Sequence, residues 1–536
     1  MNRSAYIATI SNAPDQVWDM IIIGGGATGL GIAMDAATRG YKTLLLEQAD
    51  FAKGTSSRST KLVHGGVRYL AQGDVALVRE ALYERGLLLA NAPHLAHNQD
   101  FIIPQYTWWQ GPFYTIGLKL YDLLSGRLSL GRSRHIGSRE VQEKLPTIRR
   151  QGLKGGIVYH DGQFDDARLA VNIAQTAAEN GAMLLNYFKV TGLEKHPDGQ
   201  LSGVVAKDLE TGLTYTLPAK TVINATGVFV DEILQLDNPG ARRLVKPSQG
   251  VHVVLDRSFL QSSSAIMIPK TDDGRVLFAV PWHNKVLLGT TDTPLDEHSM
   301  EPVALETEID FILGTAARYL SRPPARADVL SVFAGLRPLA APQKSTGSTK
   351  EISRSHKIIT APSGLITITG GKWTTFRRMA EDTVNEAVKT GGLPAAACRT
   401  KTLRIHGYLP QPSTAAPLDV YGSDAPLLQA LTLKHPELKA PLHARLPYIK
   451  AQVIWAVRHE MARTVEDVLA RRMRALFLDA QAAIGMAPQV AALMAAELEK
   501  DDAWQQEQVQ AFNAVAQHYL LTGIHNDTKT PHQLNT

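Results

Sequence analysis

The sequence predicts an α/β fold in which a Rossmann-like domain is interleaved with an antiparallel-sheet domain and followed by a C-terminal α-helical domain. Three observations support this prediction. An apolar, β-rich run near the N-terminus meets a glycine cluster, strand candidates then alternate with helical segments, and after about residue 400 the chain changes to helices separated by prolines. With 536 residues, 44% of them hydrophobic, the chain is long enough for two or three cores.

The N-terminal elements follow one another in the order strand, glycine turn, helix, strand. Trp18–Ile23 is an apolar β-rich run, and residues 27–39 carry small residues on one helical face. Thr43–Leu46 is a second apolar run, which ends at Glu47. This order is typical of a dinucleotide-binding unit.

The rest of the chain supplies further strand and helix candidates. We predict strands at 156–159, 221–225, 251–255, 275–280, 285–289 and 365–369, and helices at 167–180 and 374–389. The strands clustered between residues 251 and 289 predict an antiparallel sheet. Near the C-terminus, apolar residues between 465 and 476 recur at helical spacing, and Thr464 with Asp467 resembles a capping box.

Composition limits the kinds of metal site, cross-link and membrane segment that the protein can contain. The single cysteine, Cys398, excludes an internal disulfide and a multi-thiolate metal site, so we predict no metal. No apolar run reaches the roughly 18–20 residues that cross a bilayer, and the N-terminus lacks the pattern of a secretory signal. We therefore expect a cytoplasmic protein whose membrane contact is peripheral. The net charge of +5 favours anionic partners such as phosphoesters, acidic lipid or nucleic acid.

The glycine cluster carries a nucleotide-binding motif. Gly24, Gly26 and Gly29 form G-x-G-x-x-G directly after a strand and at the start of a helix, where backbone N–H groups and the helix dipole can hold a pyrophosphate. Glu47 closes the next strand 18 residues past Gly29, where its carboxylate can accept hydrogen bonds from a ribose. This acid disfavours a 2′-phosphate, so FAD or NAD is expected over NADP. The alternative is a structural glycine turn.

Residues 54–70, GTSSRSTKLVHGGVRYL, are the most informative segment. Hydroxyl groups, glycines and a histidine stand beside three cations, which makes a poor core and a good ligand surface. Five later motifs complete a pattern: DDARL at 165–169, NATG at 224–227, LGTTD at 288–292, GLRPL at 335–339 and GGKWTT at 370–375. In this order the motifs resemble the FAD-dependent, aerobic, quinone-linked glycerol-3-phosphate dehydrogenase family. The resemblance covers residues 18 to about 389, and residues 458–477 resemble the family's C-terminal helical cap.

The resemblance implies the domain arrangement. It comprises an N-terminal tail at 1–16, an FAD-dependent oxidoreductase domain at 17–400, a helical cap at 401–525 and a disordered tail at 526–536. Within the oxidoreductase domain, the FAD-binding parts are about 17–75, 150–240 and 330–395, and the substrate-binding parts are about 76–149 and 241–329.

The resemblance also implies the chemistry and the partners. The expected reaction is oxidation of sn-glycerol 3-phosphate to dihydroxyacetone phosphate, with the hydride going to FAD and the electrons to a ubiquinone-type membrane quinone. The protein would then act in glycerol metabolism as a peripheral protein on the inner face of the cytoplasmic membrane, able to form a homodimer and without a nucleic-acid partner. The residues expected to bind FAD are Gly24, Gly25, Gly26, Thr28, Gly29, Glu47, Thr55, Ser56, Ser57, Lys61, His64, Gly65, Gly66, Ala225, Thr226, Gly227, Gly370, Gly371, Lys372 and Thr374.

Substrate binding and proton removal need different groups. The phosphate dianion requires cations, and the resemblance points to Arg68, Arg337 and Lys372, with Tyr69 beside them as a donor. Removal of the hydroxyl proton requires a base, for which His252 is preferred because the similar family segment places a histidine at the substrate. Arg337 and Lys372 remain alternatives for acting on this proton.

Two alternatives concern the reaction and one concerns the membrane. A glycerol-3-phosphate oxidase of the same fold would pass electrons to oxygen, and a non-catalytic flavin-binding regulator would bind FAD without turnover. Residues 106–124 are rich in aromatic and aliphatic side chains, which can lie in a bilayer interface or pack inside the substrate domain.

Overall fold

The computed structural model describes residues 1–66, 74–107, 110–269, 271, 274–340, 356–411 and 416–521. In these ranges the protein has two large sheets and a C-terminal helical region, which confirms the predicted fold class. The strands predicted at 18–23, 43–46 and 285–289 have those bounds. Other predicted strands and helices are present with ends displaced by one to several residues.

The first sheet carries the N-terminal unit. Its strands lie in the order Lys357–Thr360, Ile366–Thr369, Thr214–Asn224, Trp18–Ile23, Thr43–Leu46 and Met183–Leu185. Leu201–Asp208 pairs with Thr214–Asn224, and Phe188–Lys195 pairs with Leu201–Asp208. The four pairings from Ile366–Thr369 to Met183–Leu185 are parallel. Three helices pack together in the core on this sheet, namely Ala27–Thr38, Asp166–Glu179 and Phe376–Thr390. Parallel strands bring their carboxyl ends to one edge, where the glycine turn lies.

The second sheet contains the strands of the predicted substrate-binding parts, together with Leu62–Val63, Gly155–Phe164 and Val329–Ala340, most of whose residues the prediction assigned to the FAD-binding parts. Its order is Thr293–Pro294, Val245–Asp256, Lys285–Gly289, Leu277–Trp282, Ala265–Ile268, Ala96–Gln105, Gly155–Phe164 and Leu62–Val63. Val329–Ala340 pairs with Val245–Asp256, and Arg134–Gly137 pairs with Gly155–Phe164. The pairing is antiparallel except between Ala265–Ile268 and Ala96–Gln105. The antiparallel sheet predicted from residues 251–289 is therefore confirmed and extends further.

The remaining helices lie around the two sheets and in the C-terminal region. Around the sheets they are Val75–Asn91, Gln110–Ser125, Ser138–Lys144, Val230–Asp237 and Glu306–Ala317. The C-terminal region has Ala425–Lys434, Lys450–Glu460, Ala475–Leu478, Ala480–Leu498 and Asp502–Gln517, with a small hairpin of Pro441–His443 and Leu446–Ile449. Among the described helices, none has the length and apolarity that crossing a membrane requires.

The N-terminal residues differ from the expected tail, and the expected C-terminal tail lies outside the described residues. A helix, Arg3–Asn12, occupies the stretch expected to be a tail. It is held because the buried Arg3 guanidinium pairs with Asp208 at 2.5 Å and Ile10 joins a hydrophobic cluster. Such a long-range ion pair has no local signal in the sequence. The expected tail at 526–536 lies outside the described residues.

Candidate active site

The glycine turn after Trp18–Ile23 is as tight as the motif requires. Gly24 has a left-handed φ of 108°, and a Cβ there would lie 2.7 Å from the Ala225 carbonyl oxygen. A Cβ on Gly29 would lie 1.8 Å from the Gly24 carbonyl oxygen. The Gly25 N–H donates to Glu47 Oε2 at 2.6 Å, which joins the turn to the next strand. Only glycine fits at Gly24 and Gly29, because any side chain would meet backbone.

Replacing Gly29 by alanine should therefore prevent binding of the FAD that the sequence leads us to expect. We expect Gly29→Ala to purify with less than about a tenth of the wild-type flavin content, because the turn must open before the chain can accommodate a methyl group. The measurement is the ratio of flavin absorbance to protein absorbance. Gly314→Ala is the control, since a Cβ there meets nothing within 4 Å. A fully yellow Gly29→Ala protein would contradict this role of the turn.

The segment after Glu47 is hydrogen-bonded to the helix that follows the glycine turn and to the GLRPL and GGKWTT motifs. Ser56 Oγ accepts a hydrogen bond from the Ala27 N–H at 2.9 Å, at the first residue of helix Ala27–Thr38. The Ser56 carbonyl accepts from Trp373 Nε1 at 2.9 Å, and Thr55 Oγ1 donates to the Leu336 carbonyl at 2.5 Å. Motifs separated by 281 and 317 residues are thus brought to one place.

A first cavity of about 490 Å³ lies along the carboxyl edge of the first sheet. It runs from the glycine turn and Glu47 to the 370–373 turn. Both Glu47 carboxylate oxygens accept from backbone N–H groups, at 2.6 Å from Gly25 and 2.8 Å from Ala49. Burial is the main cause that raises the pKa of Glu47, against these hydrogen bonds. The predicted residues that line this cavity are Gly24, Gly26, Thr28, Glu47, Thr55, Ser56, Ala225, Thr226, Gly227, Gly370, Gly371 and Lys372.

A second cavity of about 330 Å³ adjoins the first. Thr55, Arg58 and the 370–373 turn line both cavities, so they form a common wall. The predicted residues that line only the second cavity are His64, Gly66, His252, Arg337 and Thr374. Two of the three predicted substrate cations, Arg337 and Lys372, therefore meet at this cavity. The third, Arg68, and its neighbour Tyr69 lie outside the described residues.

Arg337 is held in a defined orientation at the second cavity. Its Nη1 donates to Asp292 Oδ1 at 3.2 Å, and its Nη2 donates to Thr290 Oγ1 at 3.1 Å and to the Thr291 carbonyl at 3.0 Å. The partners belong to the LGTTD motif and Arg337 belongs to GLRPL, so the two motifs build one cationic corner. A fixed guanidinium loses little side-chain entropy when it binds an anion.

His252 is a buried histidine in the wall of the same cavity. Its Nε2 lies 2.9 Å from Thr60 Oγ1, and its ring stacks on Phe333 with centroids 4.9 Å apart. Burial, followed by the charges of Lys61 and Arg337, holds the pKa of His252 well below its ordinary value. Gly289 on the paired strand makes room for this ring, since a Cβ there would lie 2.2 Å from His252 Cδ2.

Five predicted FAD-binding residues line neither cavity and instead contact the segments that form the cavity walls. These residues are Gly25, Gly29, Ser57, Lys61 and Gly65. Lys61 is fully buried, and its Nζ donates to Asp166 at 2.7 Å and to the Ser57 carbonyl at 2.8 Å. Burial lowers the pKa of Lys61 to about 7, although Asp166 opposes this. The Gly65 N–H donates to Tyr121 Oη at 2.8 Å.

The sequence reasoning missed several residues of the second cavity. Arg58 lines both cavities, yet it was noted only as one of three cations in its segment. Thr60, the hydrogen-bond partner of His252, stands in that segment and could have been included. Arg275, just before strand Leu277–Trp282, and Phe278, within it, also line the second cavity, and neither belongs to a motif. Nothing in the sequence near Arg275 and Phe278 signals this position.

The residues of the first cavity fit an extended dinucleotide. Glycines line both ends of this cavity at positions where a side chain would collide with the protein. A Cβ on Gly371 would lie 2.4 Å from Met379 Sδ, and a Cβ on Gly24 would lie 2.7 Å from the Ala225 carbonyl oxygen. The N-terminus of helix Ala27–Thr38 faces the cavity through Ala27 and Thr28, which suits a pyrophosphate. Glu47 suits a ribose.

Comparisons with known proteins agree with this geometry. Residues 19–377 match the family model of the FAD dependent oxidoreductases, and residues 365–506 match the model described as the C-terminal domain of alpha-glycerophosphate oxidase. The sequence is 41% identical over 543 aligned positions to the mitochondrial glycerol-3-phosphate dehydrogenase of Homo sapiens, covering 95% of this chain and 74% of that protein.

Solved structures extend the comparison. The glycerol-3-phosphate dehydrogenase from Bacillus halodurans, complexed with FAD, has a TM-score of 0.78 and 31% identity, covering 96% of this chain and 97% of that one. The L-alpha-glycerophosphate oxidase from Mycoplasma pneumoniae, with FAD bound, has a TM-score of 0.57 and 16% identity over 72% of this chain and 98% of that one, which is a likeness of fold alone. The chain therefore belongs to the FAD-dependent oxidoreductases and, within them, to the glycerol-3-phosphate dehydrogenase family, with FAD as its cofactor.

Proposed function

We propose that the protein oxidises sn-glycerol 3-phosphate at its secondary alcohol carbon to dihydroxyacetone phosphate and passes the electrons to a membrane quinone. The observation that carries this proposal is the second cavity, which is cationic, contains a neutral histidine and shares the 370–373 turn with the cofactor cavity. A small anionic alcohol bound there would lie beside the flavin end of the cofactor cavity. The names of the relatives support the same substrate.

Arg337 and Lys372 bind the phosphate in this proposal. A phosphate dianion takes charge-assisted hydrogen bonds from a guanidinium and an ammonium, and these bonds are about twice as strong as neutral ones. The orientation of Arg337 is fixed by Asp292 and Thr290 before the substrate arrives. Preorganised donors of this kind also position the three-carbon chain for reaction.

His252 accepts the hydroxyl proton of the substrate. Its depressed pKa keeps the ring unprotonated in the free enzyme, as a base must be. Nε2 lies 2.9 Å from Oγ1 of Thr60, a residue that lines the second cavity, whereas Nδ1 is buried from solvent, so the proton reaches the ring at Nε2. The negative charge of the bound phosphate raises the pKa of His252 again, which helps it to take the proton.

The 370–373 turn prepares the common wall for the cofactor. Bound FAD supplies the hydride acceptor. Gly370 and Gly371 have left-handed φ values of 77° and 75°, and the 3₁₀ turn Trp373–Thr375 and helix Phe376–Thr390 follow. The positive end of this helix stabilises negative charge near the turn.

Anaerobic reduction of the purified protein tests this function. Glycerol 3-phosphate should bleach the yellow flavin absorbance within seconds in the absence of air, whereas glycerol and glycine at the same concentration should not. Glycerol lacks the phosphate that Arg337 and Lys372 bind, and glycine lacks both the phosphate and the alcohol. A flavin that stays oxidised beside glycerol 3-phosphate would favour a non-catalytic flavin-binding regulator.

The electron acceptor separates the dehydrogenase from an oxidase. The match of residues 365–506 to a domain described from alpha-glycerophosphate oxidase makes oxygen the second candidate acceptor. Turnover with a short-chain ubiquinone should exceed turnover with oxygen, and little hydrogen peroxide should form. Peroxide formed in equal amounts with substrate oxidised would assign the oxidase instead.

We propose peripheral attachment to the cytoplasmic membrane through helix Gln110–Ser125. This helix buries Leu118 and Tyr121 but leaves Leu123 76% exposed. Exposed leucines next to a buried face favour an interfacial position. Leu123→Asp should therefore lower co-sedimentation with anionic lipid vesicles at least about threefold. Leu433→Asp, at a leucine 83% exposed in the C-terminal region, is the control, and equal loss in both variants would argue against this helix.

A further inference from the structure

One short element of the C-terminal region, Asp467–Arg472, contacts the segment that lines the first cavity after Glu47. Asp467–Arg472 forms a π-helical turn in which the Met473 N–H donates to the Val468 carbonyl at 2.9 Å. The reciprocal hydrogen bonds of Thr464 and Asp467, predicted as a capping box, stand at the start of this turn. π-Helical turns are rare in proteins, and many of those that occur lie at functional sites.

Both arginines of the turn converge on Asp50. Arg471 Nε and Arg472 Nη1 donate to Asp50 Oδ2, and Arg472 Nη2 donates to Asp50 Oδ1 at 2.9 Å. All three side chains are buried. Asp50 stands three residues after Glu47, and residues 52–56 after it line the first cavity. The carboxylate thus anchors the start of a cofactor-lining segment to the C-terminal region.

A second anchor holds the same segment. Lys53 lines the first cavity, and its Nζ lies 2.6 Å from Glu466, the residue just before the π-helical turn. Lys53 Nζ also lies 3.0 Å from Glu301. Glu466 accepts from Arg471 Nη1 at 2.7 Å, so the two anchors form one network.

A third contact reaches the neighbouring strand. Tyr187 Oη donates to Asp467 at 2.6 Å, while the Tyr187 N–H donates to the Ala49 carbonyl at 2.9 Å. Phe188, the next residue, lines the first cavity. The turn therefore contacts Asp50, which follows Glu47 in the chain, and Tyr187, which precedes the cavity-lining Phe188.

We propose that the π-helical turn Asp467–Arg472 is a positioning element for FAD, which holds residues 47–56 in their cofactor-binding conformation through Asp50 and Lys53. Buried ion pairs add little net stability, but they specify a single geometry. This segment needs such a constraint because Ala52 has a left-handed φ of 62°, which costs free energy for a residue other than glycine. The C-terminal region thereby contributes to cofactor affinity without itself touching the cofactor. This inference depends on FAD and not on the proposed substrate.

The test compares two isosteric amide substitutions. Asp50→Asn removes the charge that anchors the segment, and Glu460→Gln removes an equally buried charge, paired with Arg168, from the same interface. Neither Glu460 nor Arg168 lines either cavity. The measurements are the FAD dissociation constant, by titration of apoprotein, and the Tm of apoprotein and holoprotein.

We expect Asp50→Asn to weaken FAD binding by about tenfold, the size of an ordinary coupling within one ion-pair network, and to gain less Tm from added FAD. Glu460→Gln should lower the Tm of the apoprotein and keep the wild-type FAD dissociation constant. Unchanged FAD binding in Asp50→Asn, or an equal loss in both variants, would overturn the proposal. Should Asp50→Asn fail to fold, Glu466→Gln decides, because it removes the charge that Lys53 and Arg471 share and leaves Asp50 in place: weaker FAD binding supports the proposal and wild-type binding rejects it.

Discussion

Arg337→Ala is expected to lower kcat/KM for glycerol 3-phosphate by about 10²- to 10³-fold while the flavin stays bound. A charge-assisted hydrogen bond to the phosphate, together with the guanidinium charge fixed beside it, contributes roughly 3–4 kcal/mol, and the truncated side chain supplies neither. Most of the change should appear in KM, because the phosphate is bound both before and during the reaction. Steady-state kinetics and the flavin spectrum of the variant provide the measurement.

Two controls separate recognition from a general effect of charge. Arg139→Ala removes one positive charge from a side chain that is 95% exposed, and it should leave kcat/KM within about twofold. Arg337→Lys keeps the charge but loses the fork held by Asp292 and Thr290, so it should recover only part of the activity. Wild-type KM in Arg337→Ala would remove this residue from the phosphate site.

The parts of the site that the sequence predicts well are those with a local physical cause. Gly24 and Gly29 could be predicted because a tight strand-to-helix turn excludes side chains, and Glu47 because it ends the adjacent strand. The strand Trp18–Ile23 has its predicted bounds because an apolar run beside a glycine turn fits a buried parallel strand.

The residues placed differently depend on contacts distant in sequence. Within residues 54–61, Thr55 and Ser56 line a cavity, whereas Ser57 and Lys61 turn towards the core. What decides this is Asp166, more than 100 residues away, which accepts from the Lys61 ammonium. Such contacts leave no periodicity or spacing in the sequence. The same holds for Asp50, whose two arginine partners lie more than 400 residues later.

His252→Asn is expected to lower kcat by about 10²- to 10⁴-fold, the usual contribution of a general base, with FAD and substrate still bound. Gly289→Ala should act in the same direction without touching the imidazole chemically, since its Cβ would lie 2.2 Å from His252 Cδ2 and must displace the ring. Rapid mixing under anaerobic conditions measures the rate of flavin reduction directly. Reduction at the wild-type rate in His252→Asn would transfer the role of base to Lys372 or Arg337.

The pH dependence tests where His252 lies. The profile of kcat/KM reports ionisations of the free enzyme and free substrate, and the substrate phosphate, titrating near pH 6, affects wild type and variant alike. The ratio of wild-type to His252→Asn kcat/KM therefore isolates the imidazole. Because burial and the charges of Lys61 and Arg337 depress the pKa of His252, the ring stays unprotonated as pH falls through about 6.5, and the ratio should be flat from about pH 6 to 8. A ratio that falls tenfold per pH unit below about 6.5 would mean a solvated histidine with an ordinary pKa, and His252 would then lie outside the cavity wall.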